Sequence, residues 1–225
     1  MVSTAGSKES LPRADLEFFR VFLPYELNLA QRRMLTWGAD SEMVSRLALG
    51  LVVIRLERET GEAPALSGDD AQRISSHLEE VLRTVLRESD VAGRLAEFEY
   101  LALLRDVDPD QAYVAAQRFL SAAGRSQELA TSGLQARLGF IIYPLSTQAN
   151  FPPGQWSTLL ELARRLSLRG QQTGPATGLG LLRGPEMATT NIPETDLVPL
   201  LFHDPDSLVR AGVLSMQRIH IMPNL

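Results

Sequence analysis

Residues 87–104 of the sequence read RESDVAGRLAEFEYLALL. Two short apolar runs, 91–95 and 100–104, lie on either side of a few polar residues, which is the pattern of a β-hairpin. The preceding stretch has apolar residues at helical spacing as far as Arg87, and Asp69 or Asp70 can cap its start. This part of the chain therefore predicts a helix, a tight corner and a hairpin in direct succession.

The same patterns continue on both sides of this segment. Upstream, residues 47–56 (LALGLVVIRL) are apolar and rich in β-branched side chains, which predicts a buried strand. Downstream, the predicted elements are a helix over 109–123 capped by Asp108, a strand over 134–143, a helix over 155–168 ended by Gly170, and a short strand over 178–183. Crossovers mixed with a hairpin indicate an α+β fold, with a central, mostly antiparallel sheet flanked by helices.

The two ends of the chain lie outside this alternation. The expected organisation is a disordered tail over 1–12, an N-terminal helical segment over 13–44, the sheet domain over 45–183 and a C-terminal extension over 184–225. Within the N-terminal segment, Pro24 is expected to end or kink the helix. The extension is expected to contain a helix over 206–218.

Composition narrows the class of function. Hydrophobic residues make up 44% of the chain and charged residues 22%, a globular balance, and there is no cysteine for a disulfide, a thiolate nucleophile or a metal site. The net charge of −5 argues against a general attraction to nucleic acid or anionic lipid. The longest apolar run, 47–54, is too short to span a membrane, so a cytoplasmic protein is expected. Local arginines must hold any anionic ligand.

Segment 87–104 resembles the GGDEF domains of bacterial diguanylate cyclases. In that family a helix ends in an RxxD motif, and a short spacer leads to Arg-Leu and the signature Gly-Gly-Asp-Glu-Phe at a hairpin turn. Here Arg87 and Asp90 form the motif, Arg94 and Leu95 follow, and the signature positions are reached without a gap. Those positions are occupied by Ala96, Glu97, Phe98, Glu99 and Tyr100.

The resemblance covers about residues 45–170, since 138–144 (LGFIIYP) are similar to a later strand of the family. It implies a palm-like sheet with a ferredoxin-like core. An RxxD sequence alone carries little weight, because the chain contains a second one at Arg105 and Asp108.

The positions that hold metal ions in the family are altered. Phe98 stands where the signature has an acid, and Arg55 stands where the family has a metal-binding aspartate at the end of its first strand. Glu99 remains, but one carboxylate cannot assemble the two-metal site that joins two GTP molecules. The resemblance thus implies a domain with no catalytic residue, no metal and no cofactor.

The ligand-binding motif of the family is retained. In the family, RxxD forms an inhibitory site that binds cyclic di-GMP, often as an intercalated dimer, and a further arginine comes from the next helix. Arg87, Asp90 and Arg118 occupy the matching positions. A guanidinium can donate two parallel bonds to guanine N7 and O6, and a carboxylate can accept from the Watson–Crick edge. The alternative is structural: Arg87 near a helix C-terminus interacts favourably with the helix dipole and Asp90 pairs with it.

These predictions combine into one expected function. The resemblance implies a non-catalytic cyclic di-GMP receptor that acts on a regulatory, secretion or motility partner protein, with a ligand-linked homodimer as one assembly it allows. The alternative is an interaction or scaffold module with a vestigial nucleotide site. Arg164, Arg165 and Arg169 are interpreted as a solvated cluster near a helix end.

Overall fold

The computed structural model describes residues 14–37, 48–62, 64–143, 156–173, 176–181, 199–200, 203–211 and 214–219. Its helices are α1 (Leu16–Trp37), α2 (Gly68–Val85), α3 (Pro109–Gly124), α4 (Gln127–Thr131), α5 (Trp156–Thr173) and α6 (Pro205–Arg210). Its strands are β1 (Ala48–Arg58), β2 (Val91–Ala96), β3 (Glu99–Val107), β4 (Leu134–Tyr143), β5 (Ala176–Leu181) and β6 (Leu214–Ile219). None of the helices in these ranges has the length and apolar character needed to cross a membrane.

All six strands form one sheet in the order β2-β3-β1-β4-β5-β6. Each neighbouring pair among the first four strands of this order is antiparallel, β5 runs parallel to β4, and β6 runs antiparallel to β5. With α2 and α3 as the connections, β1 to β4 form a ferredoxin-like core, so the predicted fold class is confirmed. Strand β1 lies between β3 and β4, and nearly all of its residues are buried. Its almost continuous apolar sequence follows from this central position.

Helices cover both faces of the sheet. One face packs against α2 and α3, with Ile54, Leu78 and Leu120 in its core. The opposite face packs against α1 and α5, with Phe19, Val53 and Leu159 in its core. Alternate residues of β1 to β4 enter the two cores, as the period of two in a β-strand requires.

Several predicted helix ends differ from the structure. The N-cap of α2 is Ser67, whose hydroxyl accepts the N–H of Asp70 at 3.3 Å, so neither aspartate is the cap. Helix α1 continues through Pro24, and α5 continues past Gly170 to Thr173. A proline inside a helix removes one hydrogen bond and its ring crowds the carbonyl four residues earlier, and the burial of Phe19, Leu23 and Leu27 on one face of α1 offsets that cost. Asp108 caps α3 as predicted, in a capping box with Gln111.

The helix expected over 206–218 is only partly correct. Helix α6 ends at Arg210, and residues 214–219 form β6, which pairs with β5 along its whole length. The last part of the chain therefore extends the main sheet, and the strand expected over 178–183 lies at 176–181. The expected tail over 1–12 lies outside the described residues.

Two glycines allow unusually close backbone packing. A Cβ atom added at Gly139 in β4 would lie 2.0 Å from the carbonyl oxygen of Ala163, so α5 rests directly on the strand. A Cβ at Gly93 would lie 1.8 Å from the carbonyl oxygen of Ala14, which accepts the N–H of Arg94 at 3.0 Å. This short bridge from the N-terminal segment covers part of the edge strand β2.

Candidate functional site

Residues 87–90 form a closed corner between α2 and β2. Helix α2 ends at Val85, two residues earlier than expected, and Arg87 lies just beyond it. The Asp90 carboxylate accepts the backbone N–H of Arg87 at 2.9 Å, and the Asp90 N–H donates to the Arg87 carbonyl at 3.0 Å. The other Asp90 oxygen accepts the N–H of Arg105 at 3.1 Å. Asp90 is 7% exposed and fixes the corner, whereas the Arg87 side chain is exposed.

The structure brings the three predicted ligand residues together. Arg87, Asp90 and Arg118 line one groove of about 220 Å³ between the corner and α3. Its apolar lining comes from five residues: Val85, Leu104, Val107, Val114 and Ala115. The side chains of Arg87 and Arg118 are exposed, and neither forms an ion pair or a side-chain hydrogen bond with any residue that the structure describes.

The groove is mixed in charge. Asp108 and Asp110 line it together with Asp90 and the two arginines. The Asp108 carboxylate is already engaged, since it accepts the N–H of Gln111 at 2.7 Å as the cap of α3. Such a groove offers both donors and acceptors over an apolar floor. It suits a planar ligand with acceptors and N–H donors better than a bare phosphate.

The second RxxD sequence serves a different purpose. Arg105 donates from Nε to a carboxylate oxygen of Glu26 on α1 at 3.2 Å, and Asp108 caps α3. Its two ends therefore make separate structural contacts. This agrees with the prediction that an RxxD sequence alone does not indicate a ligand site.

The signature turn joins β2 and β3 through Glu97 and Phe98. Phe98 has φ of 60°, a left-handed conformation that is uncommon for a bulky residue. Its carbonyl accepts the N–H of Leu56 at 2.9 Å, and its side chain is 6% exposed in the core beneath α2. Phe98 thus holds the turn against β1 and presents no polar group there, while Ala96 and Glu97 are exposed.

Glu99 lies between two arginines. Arg55 pairs with Glu99 across β1 and β3, and its Nε is 4.0 Å from Glu99 Oε2. Arg164 of α5 donates from Nε to Glu99 Oε1 at 2.7 Å. The interpretation of Arg164 as part of a solvated cluster is therefore wrong, whereas Arg165 pairs with Glu161 on the helix surface. No local signal in the sequence could have identified a partner 65 residues away.

The GGDEF-type signature implies divalent metal ions, and the residues at this turn do not fit them. Both Glu99 oxygens face guanidinium groups, and a cation at Glu99 would also meet the positive charge of Arg55. Within the described part of the chain, no group of three or more acids and histidines could hold a metal ion.

A second groove, of about 370 Å³, lies between α2 and the edge of β2. Tyr100 lines it and is 1% exposed, and burial raises the pKa of its phenol above the ordinary value. Ser75 and Arg94 are near the Tyr100 hydroxyl, but among the described residues it has no hydrogen-bond partner.

Comparisons with known proteins find solved structures with a similar fold. No family model matches the sequence, and no curated protein sequence matches it. The GGDEF domain of PA1120 (TpbB or YfiN) from Pseudomonas aeruginosa has a TM-score of 0.52 and 20% identity, with 74% of this chain and 90% of that chain covered. The GGDEF domain of DgcB from Caulobacter crescentus, in complex with c-di-GMP, has a TM-score of 0.56 and 11% identity, with 80% and 98% covered.

A third structure, of a microbial GGDEF domain with bis-(3,5)-cyclic di-GMP, has a TM-score of 0.52 and 15% identity. It covers 72% of this chain and 88% of that chain. These identities are low, but the matches cover 88% to 98% of the other chains. The chain described here has the fold of a GGDEF domain.

Proposed function

We propose that this chain is a degenerate GGDEF domain that binds cyclic di-GMP and passes the bound state to a partner protein. The observation that carries the proposal is the groove lined by Arg87, Asp90 and Arg118. The sequence selected these residues from a resemblance alone, and they come from a corner and a helix that are distant in sequence. A nucleotide receptor needs such residues close together in one groove with an apolar surface, and these three residues meet that requirement.

The chemistry of the groove suits a guanine nucleotide. Arg87 and Arg118 have no ion pair to break among the described residues, so ligand contacts would replace only water. Each can donate to guanine N7 and O6 or to a phosphate. The N–H groups of the guanine edge need acceptors, and the exposed carboxylate of Asp110 offers one, because Asp90 and Asp108 already accept backbone N–H groups. The apolar side chains offer a surface for a purine face.

Cyclase activity is not part of the proposal. The surviving signature acid, Glu99, is engaged by Arg55 and Arg164, and Phe98 is buried in the core. Two GTP molecules carry high negative charge, and their reaction in this family depends on metal ions at the turn. With guanidinium groups at Glu99, we expect neither metal binding nor turnover.

Calorimetric titration with cyclic di-GMP tests the receptor. We expect micromolar or tighter binding by the native chain, and at least tenfold weaker binding by Arg87→Ala. The matched control is Arg83→Ala, which removes the same charge from an exposed residue one turn earlier that does not line the groove. No heat at a hundred micromolar ligand would refute the receptor, and cyclic di-GMP formed from GTP and Mg²⁺ would refute the loss of cyclase activity.

The alternative is an interaction module whose nucleotide site is vestigial. One observation favours it: α1 exposes three large apolar residues, Phe18, Val21 and Tyr25, with Phe18 stacked on Phe22 at 4.9 Å. Under the receptor proposal the same surface can contact the regulatory, secretion or motility partner. Partner binding that is indifferent to cyclic di-GMP would favour the alternative.

A further inference from the structure

We infer that helix α1 is energetically coupled to the ligand groove, through the bulge at Arg105 and Asp106, so that α1 docking and ligand binding strengthen each other. The inference rests on the proposed function for its ligand. It assigns a role to four residues outside the groove floor and walls, which are Glu26, Arg33, Arg105 and Asp106.

The connection starts at Asp90. The first residue of β2, Val91, pairs with Leu103, so Arg105 lies beyond the part of β3 that β2 covers. The Asp90 carboxylate supplies the missing acceptor and holds the N–H of Arg105 at 3.1 Å. Because the same carboxylate closes the corner at Arg87, the position of Arg105 affects the geometry of the groove.

The next step is a bulge in β3. Gly50 pairs with Leu104 and Ala48 pairs with Val107, so Arg105 and Asp106 together stand opposite a single residue of β1. Asp106 has φ of 51°, which costs free energy for a residue other than glycine. Such a conformation persists when surrounding contacts hold it.

Helix α1 supplies those contacts. Glu26, with a side chain 6% exposed, accepts from Arg105 Nε at 3.2 Å, and Arg33 Nη1 donates to Asp106 Oδ1 at 2.6 Å. Glu26 and Arg33 are seven residues apart and so lie on one side of α1. The helix thus contributes one acid and one base, and the bulge contributes the oppositely charged partner of each. These two ion pairs of opposite polarity fix the helix in one register. A shift of α1 would break the two contacts that hold the bulge. It would thereby weaken the hydrogen bond between the Arg105 N–H and the Asp90 carboxylate.

The sign of the coupling follows from preorganisation. With α1 docked, Asp90 is already held in the closed corner, so the ligand need not order it. By reciprocity, a ligand that requires the closed corner must also stabilise the docked helix. Because α1 carries the exposed residues Phe18, Val21 and Tyr25, this coupling gives a route from the groove to a partner.

Glu26→Gln provides the decisive test, because simple electrostatics and coupling predict opposite results. Removing a negative charge would strengthen the attraction for a dianionic ligand. Coupling predicts that cyclic di-GMP binds the variant about fivefold to tenfold more weakly, at the lower end of the usual range for linked sites. The control is Glu17→Gln, which removes the same charge from an exposed residue of α1 that pairs only locally with Arg20. Unchanged or tighter binding by Glu26→Gln would overturn the inference and leave the proposed function standing.

A second measurement does not need the ligand. Hydrogen exchange of the α1 amides should become at least threefold faster in Asp90→Asn, which weakens the hold on Arg105, and should be unchanged in Asp110→Asn, which alters the groove without contacting the bulge. If the native chain takes up no cyclic di-GMP, the proposed function fails and this comparison alone decides the coupling. Equal exchange of α1 in the two variants would overturn it.

Discussion

Replacing Arg118 by alanine separates ligand recognition from folding in this groove. The side chain projects from α3 into solvent, and it has no ion pair with any described residue. Alanine is also the better helix former, so the free energy of unfolding should change by less than about 0.5 kcal/mol. A lost bidentate contact to guanine is worth about 1–3 kcal/mol, so Kd for cyclic di-GMP should rise about 5-fold to 150-fold.

Calorimetry and urea unfolding on the same preparations measure both quantities. Arg118→Lys is the informative companion, because it keeps the charge but loses the planar fork that makes two parallel bonds. We expect it to recover little of the lost affinity. Arg125→Ala, at the end of the same helix, is the control for a changed net charge. Native affinity in Arg118→Ala would refute the assignment of this residue to the site.

Two further predictions concern the sheet that supports the site. Tyr100→Phe should stabilise the fold by about 1 kcal/mol, because the hydroxyl it removes is buried with no partner among the described residues. Tyr113→Phe is the contrasting variant, because the Tyr113 hydroxyl accepts a hydrogen bond from Gln117 at 3.1 Å, and its loss should be neutral or slightly destabilising. Urea unfolding of both variants measures the two changes in stability. Gly139→Ala should lower stability by about 1–3 kcal/mol or more, because its Cβ would overlap the backbone of α5 at 2.0 Å. An unchanged unfolding midpoint would show that α5 can move away without loss.

Elements with a local signature were predictable from the sequence. The apolar run of β1, the hairpin and the Asp108 cap all depend on residues within a few positions of one another. Strand β6 was missed because its identity depends on pairing with β5, which a local helical pattern does not report. The end of α2 was misplaced for a similar reason, because Asp90 closes the corner before Arg87 can join the helix.

The candidate site was predictable only in part. The register of the resemblance selected Arg87 and Arg118, although nothing in their local sequence distinguishes them from other surface arginines. The contacts of Arg164 with Glu99 and of Arg105 with Glu26 join residues 65 and 79 positions apart. Ion pairs of that kind depend on tertiary structure, and a single sequence contains no periodicity that indicates them.

The central place of β1 also shapes how the chain is made. Gly50 pairs with Leu104 on one side and with Ile142 on the other, so this strand is synthesised long before its second neighbour exists. At translation rates of about 5–20 residues per second, the edge of β1 that pairs with β4 has no partner for about 5–20 seconds. During that interval the nascent chain exposes at least one unpaired edge of a strongly hydrophobic strand. Co-translational chaperones are therefore expected to engage this protein early, and mutations that slow β4 synthesis should reduce its yield.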